Sequence, residues 1–341
     1  MDTSTIQALI ALNNQFYAQH AASFAATRSA PWHGWSALAD LLRERSQRCD
    51  TPGETSASNH ASAKCGTSGP TAPPPKKMPS SLHTLDNSRA SIIAPSAVPG
   101  SRPALDGTND RIPEHRARTV LDPARTVLDP ACTVLDLACG NLRFEEFLAC
   151  EFPHACFSFN AVDTCPALAS PQTLAQANIR YREIDILQNA LAGHRFIDDV
   201  PICDLAVCFG FMHHVPNHEL RSAVLETLCA HTAPHCLIVV SFWQFMRDER
   251  LARKAMRAGA LAADASSPFA ALGIDTSQLE EHDHFLGWQT DPSPLRYCHH
   301  FPEAEVDELV ASVGTVAREV ARYSADGSSG TLNRYLVLEK L

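Results

Sequence analysis

From residue 132 to residue 243 the apolar residues follow two alternating rhythms. Short, nearly unbroken runs (FSFNAV at 157–162, CDLAVCF at 203–209, CLIVVSFW at 236–243) are separated by stretches in which apolar side chains recur every third or fourth position. Leu142, Phe144, Phe147 and Leu148 make one such stretch, and Leu220, Val224 and Leu228 another. Uniformly apolar runs are the mark of strands covered on both faces, and the wider spacing is that of amphipathic helices. The alternation predicts helix 142–150, strand 157–162 ending at Asp163, a helical stretch near 166–177, strand 179–184 ending at Asp185, strand 203–209, and helix 218–231. CLIVVSFW closes the series as a further strand. Strands and helices in this order predict a doubly wound, mostly parallel α/β sheet.

The first strand has three candidates, because RTVLDPARTVLDPACTVLDLACGN (118–141) repeats one seven-residue phrase three times. Val and Leu are adjacent rather than at coiled-coil spacing, and Pro123 and Pro130 stand where a helix needs an amide donor. In the first two copies proline follows the aspartate, whereas the third has Leu137 there and runs on into Ala138, Cys139, Gly140 and Asn141. A proline would remove a ladder donor, so the third copy is predicted to be the buried strand.

Ahead of the repeat, residues 4–44 carry helical periodicity in two blocks (Ile6, Leu9, Ile10 and Leu12; Leu38, Leu41 and Leu42) around the loop FAATRSAPWHGW. From about 46 to 117 the chain is rich in Ser, Thr, Pro, Ala and Gly without a sustained period, a composition that cannot bury enough apolar surface to offset chain entropy. At the other end, PEAEVDELVASVG reads as a helix opened by Pro302 and closed by Gly314, and VAREVARYS and TLNRYLVLEKL flank DGSSG as a terminal antiparallel hairpin. The chain thus divides into an N-terminal helical cap (1–45), a disordered low-complexity insertion holding the spare repeats (46–131), and an α/β domain (132–341).

Composition narrows the picture further. A formal charge of −10 over 341 residues gives no global field toward a phosphate backbone, so a nucleic-acid partner would need a local basic patch. MRDERLARKAMRAG supplies one candidate, with Arg247, Arg250, Arg253, Lys254 and Arg257 near helical spacing; a solvated helix face is the plainer account. Twelve cysteines without a CxxC pair suit reduced, mostly buried thiols in the cytoplasm. No run approaches the roughly 18 to 20 apolar residues that a membrane span requires.

The chemistry gathers at strand ends. VLDLA breaking into CGN puts Asp136 at the carboxyl end of a strand. After it comes a turn at Ala138, Gly140 and Asn141, where glycine permits close backbone approach and a helix begins with free amides. The turn lacks the glycines of a dinucleotide fingerprint. Asp163 ends the next strand, placed to accept from a ribose diol, and Asp185 ends the third, placed to meet an exocyclic amine; helix capping is the alternative for all three acids. Ile186, Cys208, Phe209 and His213 are expected along the same crevice.

DLACGN resembles the first motif of the class I S-adenosylmethionine-dependent methyltransferases, with Ala138 and Leu142 in place of its outer glycines. That likeness implies a Rossmann-like sheet of seven strands and S-adenosyl-L-methionine as cofactor. FAATRSAPW (24–32), FMHHV (211–215), SFWQF (241–245), DHFLGW (283–288), RYCHHF (296–301) and NRYLVLEK (333–340) further resemble, in order, segments of the tRNA wobble-uridine carboxymethyl methyltransferases. Gly287, Cys298 and His300 depart from that family's pattern. The resemblance implies methyl esterification of a carboxymethyl group on tRNA, and a small zinc-binding activator subunit as partner.

A carboxylate acceptor needs orientation rather than a strong base, and arginine provides it by bidentate pairing. Arg28 and Arg296 are therefore candidate clamps or tRNA contacts, with Tyr297 and His299 shaping the acceptor pocket. The His213–His214 and His299–His300 pairs lack a further cluster at ligand spacing, so no metal is expected. A small-molecule O- or N-methyltransferase and an inactive cofactor-binding paralogue remain the competing readings.

Overall fold

The computed structural model describes residues 1–49, 131–194, 197–262, 268–288 and 295–341. The predicted insertion from residue 50 onward and the first two copies of the repeat, up to Pro130, lie outside the described residues. Two helices open the chain, α1 (Thr3–Ala26) and α2 (His33–Cys49), so the connecting loop is shorter than FAATRSAPWHGW: FAA completes α1 and HGW begins α2. Asp2 starts α1 by accepting the Thr5 amide at 2.8 Å.

The third copy of the repeat is β1 (Cys132–Leu137), followed by α3 (Arg143–Glu151) and β2 (Phe157–Asp163). Next come the one-turn α4 (Pro171–Leu174), β3 (Ile179–Glu183), α5 (Ile186–Leu191), β4 (Cys203–Cys208), α6 (His218–Ala230) and β5 (Thr232–Trp243). The remainder is α7 (Glu249–Ala262), α8 (Pro268–Ala271), β6 (Asp283–Gly287), β7 (Leu295–His299), α9 (Glu303–Ser312), β8 (Ala317–Ala325) and β9 (Asn333–Lys340).

Seven strands form one sheet in the order β3-β2-β1-β4-β5-β9-β8. The first five are parallel; β9 runs antiparallel to β5, and β8 to β9. This is the expected doubly wound, mostly parallel α/β sheet, with the terminal hairpin completing one edge. Flanked by β2 and β4, β1 occupies a central slot, where the ladder on both sides excludes proline. The strand order reverses between β1 and β4, which opens a crevice at their carboxyl ends.

Both faces of the sheet are covered. One carries Ile6 and Ile10 of α1, Leu220, Val224 and Leu228 of α6, and Val306 and Leu309 of α9. The other carries Trp35, Leu38 and Leu42 of α2 with Phe144, Phe147 and Leu148 of α3. Ile6 and Ile10 of the first block and Leu38 and Leu42 of the second thus serve opposite faces.

Two features differ from the sequence expectation. The helical stretch near 166–177 is broken into a 3₁₀ turn at Pro166–Leu168 and the short α4, each opened by a proline that lacks the amide a continuous helix would require. And β6 and β7 form a separate antiparallel ribbon that periodicity did not reveal. Phe285 and Tyr297 of this ribbon pack with Leu9 of α1 and Ala258 of α7. Asn13 of α1 clasps β7, accepting from the Tyr297 amide at 2.8 Å and donating to its carbonyl at 3.2 Å.

Candidate active site at the carboxyl end of the sheet

A cavity of about 720 Å³ lies where β1, β2 and β4 end, closed over by the loop between α1 and α2. Its floor is the turn after β1. Ala138, Gly140 and Leu142 all take left-handed backbone angles, with φ of 65°, 58° and 63°. The turn therefore takes a shape that glycine favours, although two of its three left-handed positions carry side chains that disfavour it by about 1–2 kcal/mol each. Leu142 offsets the strain by burying its side chain against Cys139, Ala161 and Ala169. A Cβ on Gly140 would meet nothing within 4 Å, so the space beside this turn is open to a ligand.

Three acids stand at this end. Asp163 accepts from the Gly140 and Cys165 amides, each at 2.9 Å, which locks the β1 turn to the end of β2. Burial raises its carboxyl above the ordinary range, and these amide bonds oppose but do not cancel the effect. Asp185 caps α5 through the Gln188 amide at 3.0 Å and accepts from Asn14 at 2.8 Å; it both caps a helix and, with Ile186, lines the cavity. Asp136 is 2% exposed, and its Oδ1 has no donor. Its carboxyl faces Glu145 of α3, a residue the sequence reading passed over. The signal was available, since Glu145 falls inside the apolar stripe formed by Phe144, Phe147 and Leu148.

The opposite wall is cationic. Arg296 of β7 is buried, donates to the Tyr17 hydroxyl at 3.4 Å, and leaves its Nε without an acceptor. Arg28 donates to Thr27 at 3.3 Å. Neither guanidinium has a carboxylate within ion-pair distance among the described residues. Arg28 lies over Phe24 at 4.6 Å, and Arg296 over Trp243 at 5.6 Å. Burial, then the field of Arg296, lowers the Arg28 pKa. At Arg296 burial acts the same way but the Tyr17 and Cys298 side chains outweigh it.

Arg143, which the sequence reading also missed, straps the loop to the turn. It donates to the Ala30 carbonyl at 2.7 Å and to Asn141 Oδ1 at 2.9 Å, while Asn141 donates to the Arg28 carbonyl at 3.0 Å. Asn141 thus spends one end of its amide on the loop and the other on Arg143, although it lines the cavity as expected. Trp32 at the loop's end comes so close to Gly210 that a Cβ there would lie 2.8 Å from its ring, and Gly210 has φ of +67°.

Ala138, Phe209 and His213 also line the cavity. Burial, then the adjacent His214 and Arg296, pushes His213 well below its ordinary pKa, and burial, then Arg296, takes His214 to about 3. Cys208, expected in the crevice, is instead sealed inside β4, where alternation turns its side chain into the core with Leu137 and Ile238.

Tyr297 and His299 also do not line the cavity, a correction to their expected role. Strand alternation from Arg296 turns Tyr297 away, and both residues join a buried ionic network. Tyr297 donates to Asp283 at 2.6 Å; His299 contacts Asp283 and Glu305, each at 2.7 Å. Arg221 completes the network by donating to Glu280 and Glu305 at 2.8 Å and to the Val215 carbonyl at 3.0 Å. His213, His214 and Cys298 lie close enough to suggest a metal site. However, both ring nitrogens of His214 are engaged, with Tyr17 at 2.7 Å and the Tyr297 carbonyl at 3.0 Å.

No protein-family model matches the chain, and comparison with curated proteins found no match. Among solved structures, a methyltransferase from Methanosarcina mazei aligns with 63% of this chain and 94% of its own at 15% identity and a TM-score of 0.45. The N-methyltransferase NodS from Bradyrhizobium japonicum, in complex with S-adenosyl-L-homocysteine, aligns with 61% of this chain and 78% of its own, at 14% identity and 0.37. CalS10, an amino pentose methyltransferase from Micromonospora echinaspora bound to S-adenosylmethionine, covers 62% of this chain and 84% of its own at 15% and 0.37. Likenesses this distant carry no argument about the chemistry of this chain. No helix among the described residues is long and apolar enough to cross a membrane.

Proposed function

We propose that this chain is an S-adenosylmethionine-dependent methyltransferase acting on a carboxylate and, more finely, on the carboxymethyl group of a tRNA wobble uridine. The observation that carries this is the polarity of the cavity: acids without cations at the strand ends, arginines without carboxylates on the facing wall. Such a site suits a cationic donor beside an anionic acceptor. The open turn at Gly140 and the unpartnered Asp136 Oδ1 fit the cofactor; Asp163, Asp185 and Ile186 line the same cavity, and on this reading the first meets its ribose and the other two its base.

When bound, the cofactor supplies an electrophilic methyl group. Arg28 and Arg296 orient the acceptor carboxylate for in-line attack, and that carboxylate already carries the lone pair it needs, so no general base is required. Neutral His213 and the aromatic walls Phe24, Trp32 and Trp243 exclude water. The flat faces of Phe24 and Trp243 also suit a stacked nucleobase. The small zinc-binding activator subunit implied by the resemblance belongs to the same reading.

The test is mass spectrometry of nucleosides from carboxymethyluridine-bearing tRNA incubated with the protein and isotope-labelled donor. Label appearing as the methyl ester of that nucleoside supports the proposal; unlabelled tRNA overturns its finer part. The net charge of −10 favours a second reading, a methyltransferase for a small acid. Salt-sensitive tRNA binding separates the two. Absence of binding heat with millimolar S-adenosylhomocysteine overturns both.

A further inference from the structure

We propose that the Asp136 and Glu145 carboxyls share a single proton, and that a cationic ligand entering the cavity drives this proton into solvent. The inference rests on the donor reading above. Asp136 ends β1 and lines the cavity; Glu145 lies behind it in the first turn of α3, and each is 2% exposed. Taken as two carboxylates, the pair leaves three of its four oxygens, Asp136 Oδ1 and both of Glu145, buried without a hydrogen-bond partner. With one proton between them, the same arrangement is a carboxyl–carboxylate hydrogen bond.

The surroundings forbid the second ionisation. The groups acting on the pair are Asp163 from β2, Cys139 from the turn, Cys208 from β4 and Glu146 from α3, all acidic or neutral. Arg143, adjacent in sequence, commits its guanidinium to Asn141 and Ala30. Burial pushes both carboxyls up, Asp136 to about 7 and Glu145 well above the ordinary carboxylate range. Two carboxyls in such a place cannot both be charged without a cation. A ligand bearing an ammonium or sulfonium beside Asp136 is that cation: the singly protonated pair and the cation become a doubly ionised pair, the bound cation and a free proton. Donor affinity then rises with pH.

Calorimetry of the full chain in buffers of different ionisation enthalpy measures the released proton directly. The probes are sinefungin, which is cationic and transfers no methyl, and 5′-methylthioadenosine, a neutral thioether without the amino-acid tail. Near pH 7 sinefungin is expected to release close to one proton and 5′-methylthioadenosine none. Sinefungin affinity should rise about tenfold per pH unit where the pair titrates, the slope for one linked proton. Glu145→Gln, whose amide donates to an ionised Asp136, should flatten that slope. Sinefungin heat independent of buffer, equal release with 5′-methylthioadenosine, or full release in E145Q overturns the proposal, and the wild-type arms decide even if the variant does not fold. No heat at all with millimolar sinefungin instead defeats the donor reading.

Discussion

Arg221 and Arg296 are both sealed from solvent, at 1% and 6% exposure, yet the fold provides for them in opposite ways. Arg221 meets Glu280 and Glu305 at 2.8 Å and Asp283 at 3.6 Å, with Phe301 beneath its guanidinium at 5.6 Å. Arg296 has a tyrosine hydroxyl, aromatic faces and, among the described residues, no carboxylate. Removing a charge from water costs several kcal/mol unless partners restore what water supplied. At Arg221 the protein restores it internally, which makes that cluster part of the scaffold. At Arg296 the deficit faces a cavity, where a ligand can make it good.

The sharpest way to break this contrast is to delete each cation. Arg221→Ala would strand Asp283 and Glu305 in the interior and should destabilise the fold by about 3–5 kcal/mol in urea denaturation. A loss below about 1 kcal/mol would show that the network is incidental. Arg296→Met removes a buried charge that has no internal partner, so the fold should be unharmed or slightly more stable. Its cost should appear in acceptor binding, where losing charged hydrogen bonds of about 1.5–3 kcal/mol raises KM roughly 10- to 100-fold. Sinefungin affinity should stay near wild type; a parallel fall would place Arg296 at the donor instead.

The two kinds of cluster also carry opposite pH signatures. At Asp283 and Glu305 burial alone would raise the carboxyls, but His299 and Arg221 hold both below the ordinary range. Their stabilisation is complete above the unfolded carboxylate pKa of about 4 and is lost as pH falls through the lower folded values. Asp136, Glu145 and Asp163 are raised, so their contribution is complete below about pH 4 and declines as pH rises, through about 7 for Asp136. Ligand-free protein should therefore lose melting temperature on both sides of mildly acidic pH. Glu145→Gln should relieve the pair's share of the neutral-side decline, leaving that of Asp163, and keep the acid limb intact. An unchanged neutral limb in that variant would separate the pair from the decline.

The sequence made the acid side of the cavity legible and left the cationic side half hidden, for a physical reason. Asp136, Asp163 and Asp185 each follow an apolar run, and a parallel sheet necessarily lines up such ends. Arg28 and Arg296 were singled out by resemblance, but only folding brings the α1–α2 loop and the β6–β7 ribbon to one wall. Arg143 was missed because its role depends on a loop more than a hundred residues away in sequence. Tyr297 and His299 were assigned to the acceptor pocket with Arg296 of the same segment, whereas β7 makes that segment a strand and alternation sends Tyr297 to the other side. Pro166 and Pro171 marked the break in the helical stretch, and periodicity outweighed them in the reading.

The smallest expected effect lies on the acid side, in the turn itself. Ala138 holds φ at 65° without the burial that compensates Leu142, since it is partly exposed and lines the cavity. Ala138→Gly removes the Cβ clash of a left-handed residue but gives the unfolded chain more freedom. Because the native angle is one that alanine resists, strain relief should outweigh entropy and stabilise the fold by a net of about 0.4–1 kcal/mol, read as a modest rise in melting temperature. The same substitution leaves the Ala138 amide bonded to the Val162 carbonyl at 2.7 Å, so the turn should keep its shape and sinefungin its affinity. A drop in stability would mean that the alanine methyl packs usefully against the core, and that this turn tolerates strain because both of its substituted positions are supported.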